Sequence, residues 1–358
     1  MPFRICGRRS ARSSQLPSLR HPTLAPRLSF AFGPLAIETL FSPGDLHRLQ
    51  NCCDIVSKEP LTEFQSEIAR AQLADTDILI SGWGCPPIDE TVLETASSLK
   101  LVAHAAGSVK HLIGSLVFEK GIAVTNAAAA NAVPVAEYAL AAILFANKSV
   151  FRFAQLYRQQ RRSLELHQSF DGDCGSWRKK VGIVGASRIG RRVLELLRPH
   201  DMEILLYDPL VTAAEAAQLG TRLVSLPELM ARCQTISLHA PLLTATQHMI
   251  SGEMLRLMPD GATLINTARG GLIDQAALEA ELSSGRLSAI LDVTEPEAPP
   301  PTSPLYDLPN VVLTPHIAGA IGSERQRLGR LVTEEIERFV GGAPLQHGLT
   351  LESLRYQA

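Results

Sequence analysis

Short apolar runs, each separated from the next by a stretch of helical periodicity, recur along most of the chain. This alternation limits the available folds more than any other feature. Leu28–Phe32, Asp77–Ser81, Leu101–His104 and Ile122–Thr125 read as strands in the first part. Val181–Val184, Ile204–Tyr207, Ile236–His239, Thr263–Asn266, Ile290–Val293 and Val311–Thr314 follow in the second. Strands that are apolar throughout are buried on both faces, which is the environment of a parallel sheet covered by helices. The helical stretches include Phe64–Gln72 and Ile189–Leu197. Pro134 is expected to open another that runs through Glu137 to Phe145, because proline suits a first turn. Ser323 with Gln326 has capping-box spacing and predicts a last helix over Glu324–Val340, ended by Gly341-Gly342.

The chain has 358 residues, enough for two cores. Its 34 Lys and Arg nearly balance 36 Asp and Glu. That balance gives no reason to expect nucleic-acid binding. No apolar run approaches the ~20 residues of a membrane span, and Tyr138–Ala146 reads as the buried half of a soluble helix. The cysteines, at 6, 52, 53, 85, 174 and 233, lack CxxC spacing and no His cluster accompanies them, so no metal site is expected. Free, mostly buried thiols in a reducing cytoplasm are expected. Residues 1–26 are rich in Arg and contain no acidic residue; they read as a disordered extension outside the fold. The polar segment from about 147 to 180 reads as a helix and loop between two domains, with Arg158, Arg161 and Arg162 on a solvated face.

The most informative local motif is VGIVGASRIGRR. A strand ends at Gly185, a tight turn follows, and a helix begins near Ile189. This is the place of the dinucleotide-binding G-x-G-x-x-G turn. Gly185 permits the turn and Gly190 permits close helix–sheet packing. The free N–H groups at the helix start favour a pyrophosphate. Ser187 stands where the middle glycine is usual; it takes up room, and its hydroxyl is able to donate to a phosphate oxygen. Asp208 ends the next strand, where a carboxylate accepts from ribose hydroxyls. No Lys or Arg follows it closely, so NAD is preferred to NADP.

Three polar groups lie at the ends of later strands: Asn266-Thr267-Ala268-Arg269, Asp292-Val293-Thr294-Glu295-Pro296-Glu297 and Thr314-Pro315-His316. In open α/β sheets ligands bind at such carboxyl ends. A guanidinium holds a carboxylate bidentately. An imidazole protonates a developing alkoxide, and a carboxylate on its far nitrogen fixes the tautomer. Reduction of a 2-keto acid needs this set.

INTARGGLID, LDVTEPE and LTPHIAG, following VGIVGASRIG, resemble the motifs of the D-isomer-specific 2-hydroxyacid dehydrogenases, and the resemblance runs from Leu28 onward. It implies a catalytic triad of Arg269, Glu297 and His316, with Glu295 as a competing candidate for the carboxylate. For NAD it implies a groove formed by Gly185, Ser187, Arg188, Ile189, Gly190, Asp208, His239, Ala240, Pro241, Thr246, Thr267, Ala268, Asp292, His316 and Gly319. Asp292 and the backbone near Ala268 would hold the nicotinamide carboxamide. Ala106, Gly107 and Ser108 would bind the substrate carboxylate through backbone N–H groups, together with Arg269. Val109 and Lys110 depart from the family pattern there, which leaves the substrate side chain open.

The expected architecture is α/β: two Rossmann-like domains, with an NAD domain (147–320) inserted into a flavodoxin-like substrate domain (27–146 and 321–352). A small 2-keto or 2-hydroxy acid is the expected partner, in a cytoplasmic homodimer without membrane or nucleic-acid association. No regulatory domain is expected after the last helix. Two rivals share the fold. One is an NAD-sensing relative of co-repressor type. The other is formate dehydrogenase, whose catalytic pair carries an amide where this chain has Glu297.

Overall fold

The computed structural model describes residues 25–161 and 174–355. Their strands form two parallel sheets. The first contains β1 (Arg27–Ala31), β2 (Asp54–Ile55), β3 (Ile78–Ser81), β4 (Leu101–His104) and β5 (Ala123–Asn126), in the order β2-β1-β3-β4-β5. The second contains β6 (Lys180–Val184), β7 (Glu203–Tyr207), β8 (Arg222–Leu223), β9 (Thr235–Leu238), β10 (Thr263–Asn266), β11 (Ser288–Leu291) and β12 (Val311–Leu313). Its order is β12-β11-β10-β9-β6-β7-β8. The first order is that of flavodoxin and the second extends the dinucleotide-binding order, so the expected fold class holds. β2 and β8 are two residues each, too short to appear as apolar runs in the sequence.

Side-chain alternation explains why the strands are apolar throughout. In β3, Ile78 and Ile80 enter one core with Leu28 and Phe30. Leu79 enters the opposite core with Val102 and Val124. In the second sheet Leu264 and Leu291 face one side, and Ile265 and Ile290 the other. Each such side chain, fully buried, contributes roughly 1.5–3 kcal/mol.

The helix between the sheets is longer than the sequence suggested. It spans Ala128–Asn147, with Pro134 in its interior instead of its first turn. The Ala-rich run 127–130 starts the helix early, because alanine has the highest helix propensity. Pro134 then removes one internal hydrogen bond, and packing offsets the loss: Ala136, Ala139, Ala142 and Ile143 are buried against the second sheet and its neighbouring helix. This 20-residue helix is long and apolar enough for a membrane span, as a core helix also can be; its packing face lies in the core, as read for Tyr138–Ala146, but the helix is longer than that run.

Two other helix starts differ. The helix expected from Phe64 runs Glu67–Ala74, because the Ser66 hydroxyl accepts from the Ala69 N–H and sets its start. The last long helix is Arg325–Val340, after a short 3-10 turn at Gly322–Glu324. The Ser323–Gln326 box does not form. The Glu324 carboxylate, a stronger acceptor, takes the Ile321 N–H, while the Gln326 amide donates to the Glu38 carbonyl. Leu328, Val332 and Ile336 of this helix pack on the first sheet with Leu28 and Phe30.

Val150–Gln160 forms the helix expected after residue 147. Cys52, Cys53, Cys85, Cys174 and Cys233 are free thiols. Most of the 1–26 stretch, with Cys6, lies outside the described residues, as do Arg162 and residues 171–173 of the following loop.

Candidate active site

The second sheet reverses its strand order between β6 and β9, and the turn after β6 opens at that switch point. Gly185 has φ +98°, and a Cβ there would lie 2.6 Å from the Ala240 nitrogen. A Cβ on Gly190 would lie 2.0 Å from the Gly185 carbonyl oxygen. Both glycines are therefore fixed by space. Ser187 is not under the same constraint. Its φ of −60° suits any residue, and its hydroxyl caps the helix Arg188–Leu197 by accepting from the Gly190 N–H. The serine thus replaces a glycine without backbone strain and engages one helix-start donor itself. The N–H groups of Arg188 and Ile189 have no protein acceptor among the described residues. Asp208 closes the turn: one carboxylate oxygen accepts from the Ala186 N–H at 2.7 Å and the other from the Leu210 N–H at 2.8 Å.

The ends of β9 and β10 carry buried polar atoms that have no hydrogen-bond partner among the described residues. His239 is buried, with Nε2 on the Ser237 hydroxyl, and its Nδ1 is orphaned. Burial pushes this imidazole down to about 4, so the ring is neutral. The Thr267 hydroxyl is likewise buried and unpartnered. Thr246 donates to the Pro241 carbonyl and accepts from the Leu243 N–H, which shapes the loop after His239. Orphaned buried atoms beside a turn that excludes side chains are what a cradle for a dinucleotide requires. The residues present therefore fit NAD.

Asp292, after β11, builds the catalytic corner. It is buried at 1% exposure. One oxygen accepts from the Thr314 hydroxyl at 2.6 Å and the Ile317 N–H at 2.8 Å; the other accepts from the Ala318 N–H at 2.8 Å. The Thr314 hydrogen goes to Asp292, so Tyr138 of the long helix donates to Thr314 at 2.9 Å. Burial raises the pKa of the Tyr138 phenol, which keeps its proton in place. These bonds hold His316 at φ +55°, a left-handed conformation that non-glycine residues rarely adopt. His316 Nδ1 hydrogen-bonds with the Glu297 carboxylate, leaving Nε2 for a substrate.

Of the two candidate carboxylates, only Glu297 meets His316. Glu295 instead pairs with His248 Nε2 at 3.0 Å. Arg269 lies at the end of β10, with one guanidinium N–H on the Ala268 carbonyl at 2.6 Å. Burial lowers its pKa and the nearby Glu297 carboxylate opposes that change. The backbone at 266–269 is held by Asn266, which donates to the Arg269 carbonyl and accepts from the Ala268 N–H.

The first sheet contributes the loop after β4. The N–H groups of Ala106, Gly107 and Ser108 have no protein acceptor among the described residues. Asn131 joins this loop to the His316 segment. Its side-chain oxygen accepts from the Ala320 N–H at 2.9 Å and lies 3.1 Å from where a Gly319 Cβ would be. Its amide nitrogen lies 3.7 Å from the Cβ position of Gly107. Sequence reasoning missed Asn131, Tyr138 and His248, and gave Thr314 no separate role. An Asn within an Ala-rich apolar stretch was the one available signal.

Residues 140–318 match the family model described as D-isomer specific 2-hydroxyacid dehydrogenase, NAD binding domain. The chain is 32% identical to a D-3-phosphoglycerate dehydrogenase of Archaeoglobus fulgidus, over 75% of this chain and 50% of that protein. It is 35% identical to a glyoxylate reductase of Korarchaeum cryptofilum, over 76% of this chain and 82% of that protein. The apo structure of D-mandelate dehydrogenase from Rhodotorula graminis superposes with a TM-score of 0.76 at 25% identity, covering 91% of this chain and 98% of that one. The chain spans about half the length of the phosphoglycerate dehydrogenases it matches. It belongs to the D-isomer-specific 2-hydroxyacid dehydrogenase family and carries that family's NAD-binding domain.

Proposed function

We propose that this protein interconverts a 2-keto acid and a D-2-hydroxy acid with NAD, using Arg269, Glu297 and His316. The observation that carries this reading is the juxtaposition at the strand ends. His316 bonds to Glu297, and Glu297 acts electrostatically on the half-buried Arg269. Bound NADH supplies a hydride to the keto carbon. Arg269 binds the substrate carboxylate and polarises the keto oxygen. The unpaired N–H groups of Ala106, Gly107 and Ser108 hold the same carboxylate from the other side. His316 Nε2 gives its proton to the alkoxide oxygen as it forms, and Glu297 stabilises the protonated ring and fixes its orientation.

Ser187, Arg188 and Ile189 at the helix start receive the pyrophosphate, between Gly185 and Gly190. Asp208 accepts from the ribose hydroxyls and repels a 2′-phosphate, which favours NADH over NADPH. Asp292, Ala268, Thr267 and His239 receive the nicotinamide, and Ala240, Pro241, Thr246 and Gly319 border it.

Residues 27–146 with 321–352 form the substrate unit and 147–320 the NAD unit, with the cleft between them. The protein works in the cytoplasm as a homodimer. Exposed Phe145, Phe151 and Tyr157, on the long helix and the one that follows, support self-association.

The test is NADH oxidation with glyoxylate, hydroxypyruvate, pyruvate and phenylpyruvate, repeated with NADPH. Turnover of at least one keto acid, faster with NADH, is expected. Tight NADH binding without turnover of any would instead mark an NAD-sensing protein. Equal kcat/KM with the two cofactors would remove the role of Asp208.

A further inference from the structure

Arg325, at the start of the last long helix, makes no ion pair or hydrogen bond through its side chain among the described residues. Its Nε is buried and unpartnered. The guanidinium lies over the Trp83 ring, 6.0 Å from the centroid. A cation–π contact attracts a guanidinium without using its N–H groups as hydrogen-bond donors. A buried N–H without an acceptor destabilises the fold, so this position fits an acceptor that arrives with a ligand.

The surroundings say which ligand. Trp83 follows β3, and β4 beside it carries the Ala106–Ser108 loop. The two strand ends are tied together by Ser81 Oγ and His104 Nδ1 at 3.0 Å. Arg325 also ends the segment that begins at His316. That segment is fixed at Ala318 by Asp292 and at Ala320 by Asn131, which borders Gly107. The cation and ring therefore stand on the carboxyl edge of the first sheet, next to the loop assigned to the substrate carboxylate. A 2-keto acid whose carboxylate is held by that loop would have this edge within reach of its side chain.

We propose that Arg325, beside Trp83, binds a second anionic group at the far end of the substrate side chain, so that the preferred substrates are 2-keto acids with a distal carboxylate or phosphate. This rests on the reductase reading above. Arg269 and Arg325 then divide the work: the first holds the carboxylate at the reacting carbon, the second the remote anion.

The experiment compares kcat/KM for NADH-dependent reduction of two pairs of keto acids. 2-Ketoglutarate is set against the neutral 2-ketohexanoate, and 3-phosphohydroxypyruvate against hydroxypyruvate. In the wild type, at least one anionic member is expected to exceed its neutral partner by roughly 10- to 100-fold, the scale of charge-assisted hydrogen bonds. The pair that shows the excess tells carboxylate from phosphate. Arg325→Gln is expected to reduce that ratio by a similar factor, and Arg325→Lys to retain part of it. A wild type that prefers both neutral members overturns the proposal whatever the variants do. Equal loss on both members of a pair in Arg325→Gln also overturns it. Reduction of neutral keto acids alone leaves the reductase reading intact while removing this one. Absence of any reduction by NADH-loaded protein removes both.

Discussion

Replacing Asp292 by Asn tests whether one buried carboxylate builds the catalytic corner. The substitution keeps size and one acceptor oxygen. That oxygen is able to keep Thr314 and Ile317, but the new amide nitrogen then meets the Ala318 N–H, donor against donor. Leaving a buried N–H unsatisfied costs about 1–3 kcal/mol, and two charge-assisted bonds weaken to neutral ones. The sum is about 2–4 kcal/mol of lost stability, roughly 5–10 °C in Tm for a unit of this size. The loop carrying His316 at φ +55° loses its anchor at the same time, so kcat for keto-acid reduction should fall by roughly 10²-fold as the imidazole leaves its productive position. Urea unfolding and steady-state kinetics on the same preparation measure both effects. Stability within about 0.5 kcal/mol of wild type, with unchanged kcat, would refute the role given to this network.

Glu297→Gln should lower kcat for reduction by roughly 10²-fold and Glu295→Gln by no more than about 3-fold, on the scale of acid catalysis; the reverse order in steady-state assays would move the partnership to Glu295. Gly190→Ala places a methyl group 2.0 Å from the Gly185 carbonyl oxygen. It should weaken NADH binding at least ~10-fold and stability by about 1–3 kcal/mol; an unchanged fluorescence titration with NADH would contradict that. Acid should destabilise the fold through His104 and His239, which burial holds at about 3 and about 4 against an ordinary 6.5. Below 6.5 the unfolded chain binds protons that the folded rings refuse, so stability present above 6.5 is lost as pH falls toward 4. Tm recorded across that range should decline, and less steeply in His239→Asn; a flat wild-type profile would contradict the assignment.

The sheets were legible because buried parallel strands are apolar on both faces, as Ile78, Leu79 and Ile80 show. β2 and β8 were not, since two residues carry no period. Pro134 misled because local propensity placed it at a helix start, whereas the Ala-rich run before it and the packing of Ala136 and Ala139 extend the helix across it. In the site, residue types pointed to Arg269 and His316, and the family spacing of five residues after Asp292 favoured Glu297 over its competitor Glu295. The backbone path after β11 sends Glu295 to His248 and Glu297 to His316. Asn131 and the Tyr138–Thr314–Asp292 chain depend on contacts between distant segments, which no local pattern encodes.

The most direct measurement is the reduction of one good 2-keto acid by NADH with wild type and His316→Ala, together with chiral analysis of the product. The expected result is a D-2-hydroxy acid from the wild type and a rate lower by ~10²–10⁴-fold in the variant, with NADH affinity retained. An L product, or near-wild-type reduction by His316→Ala, would contradict the assignment of His316 as the acid.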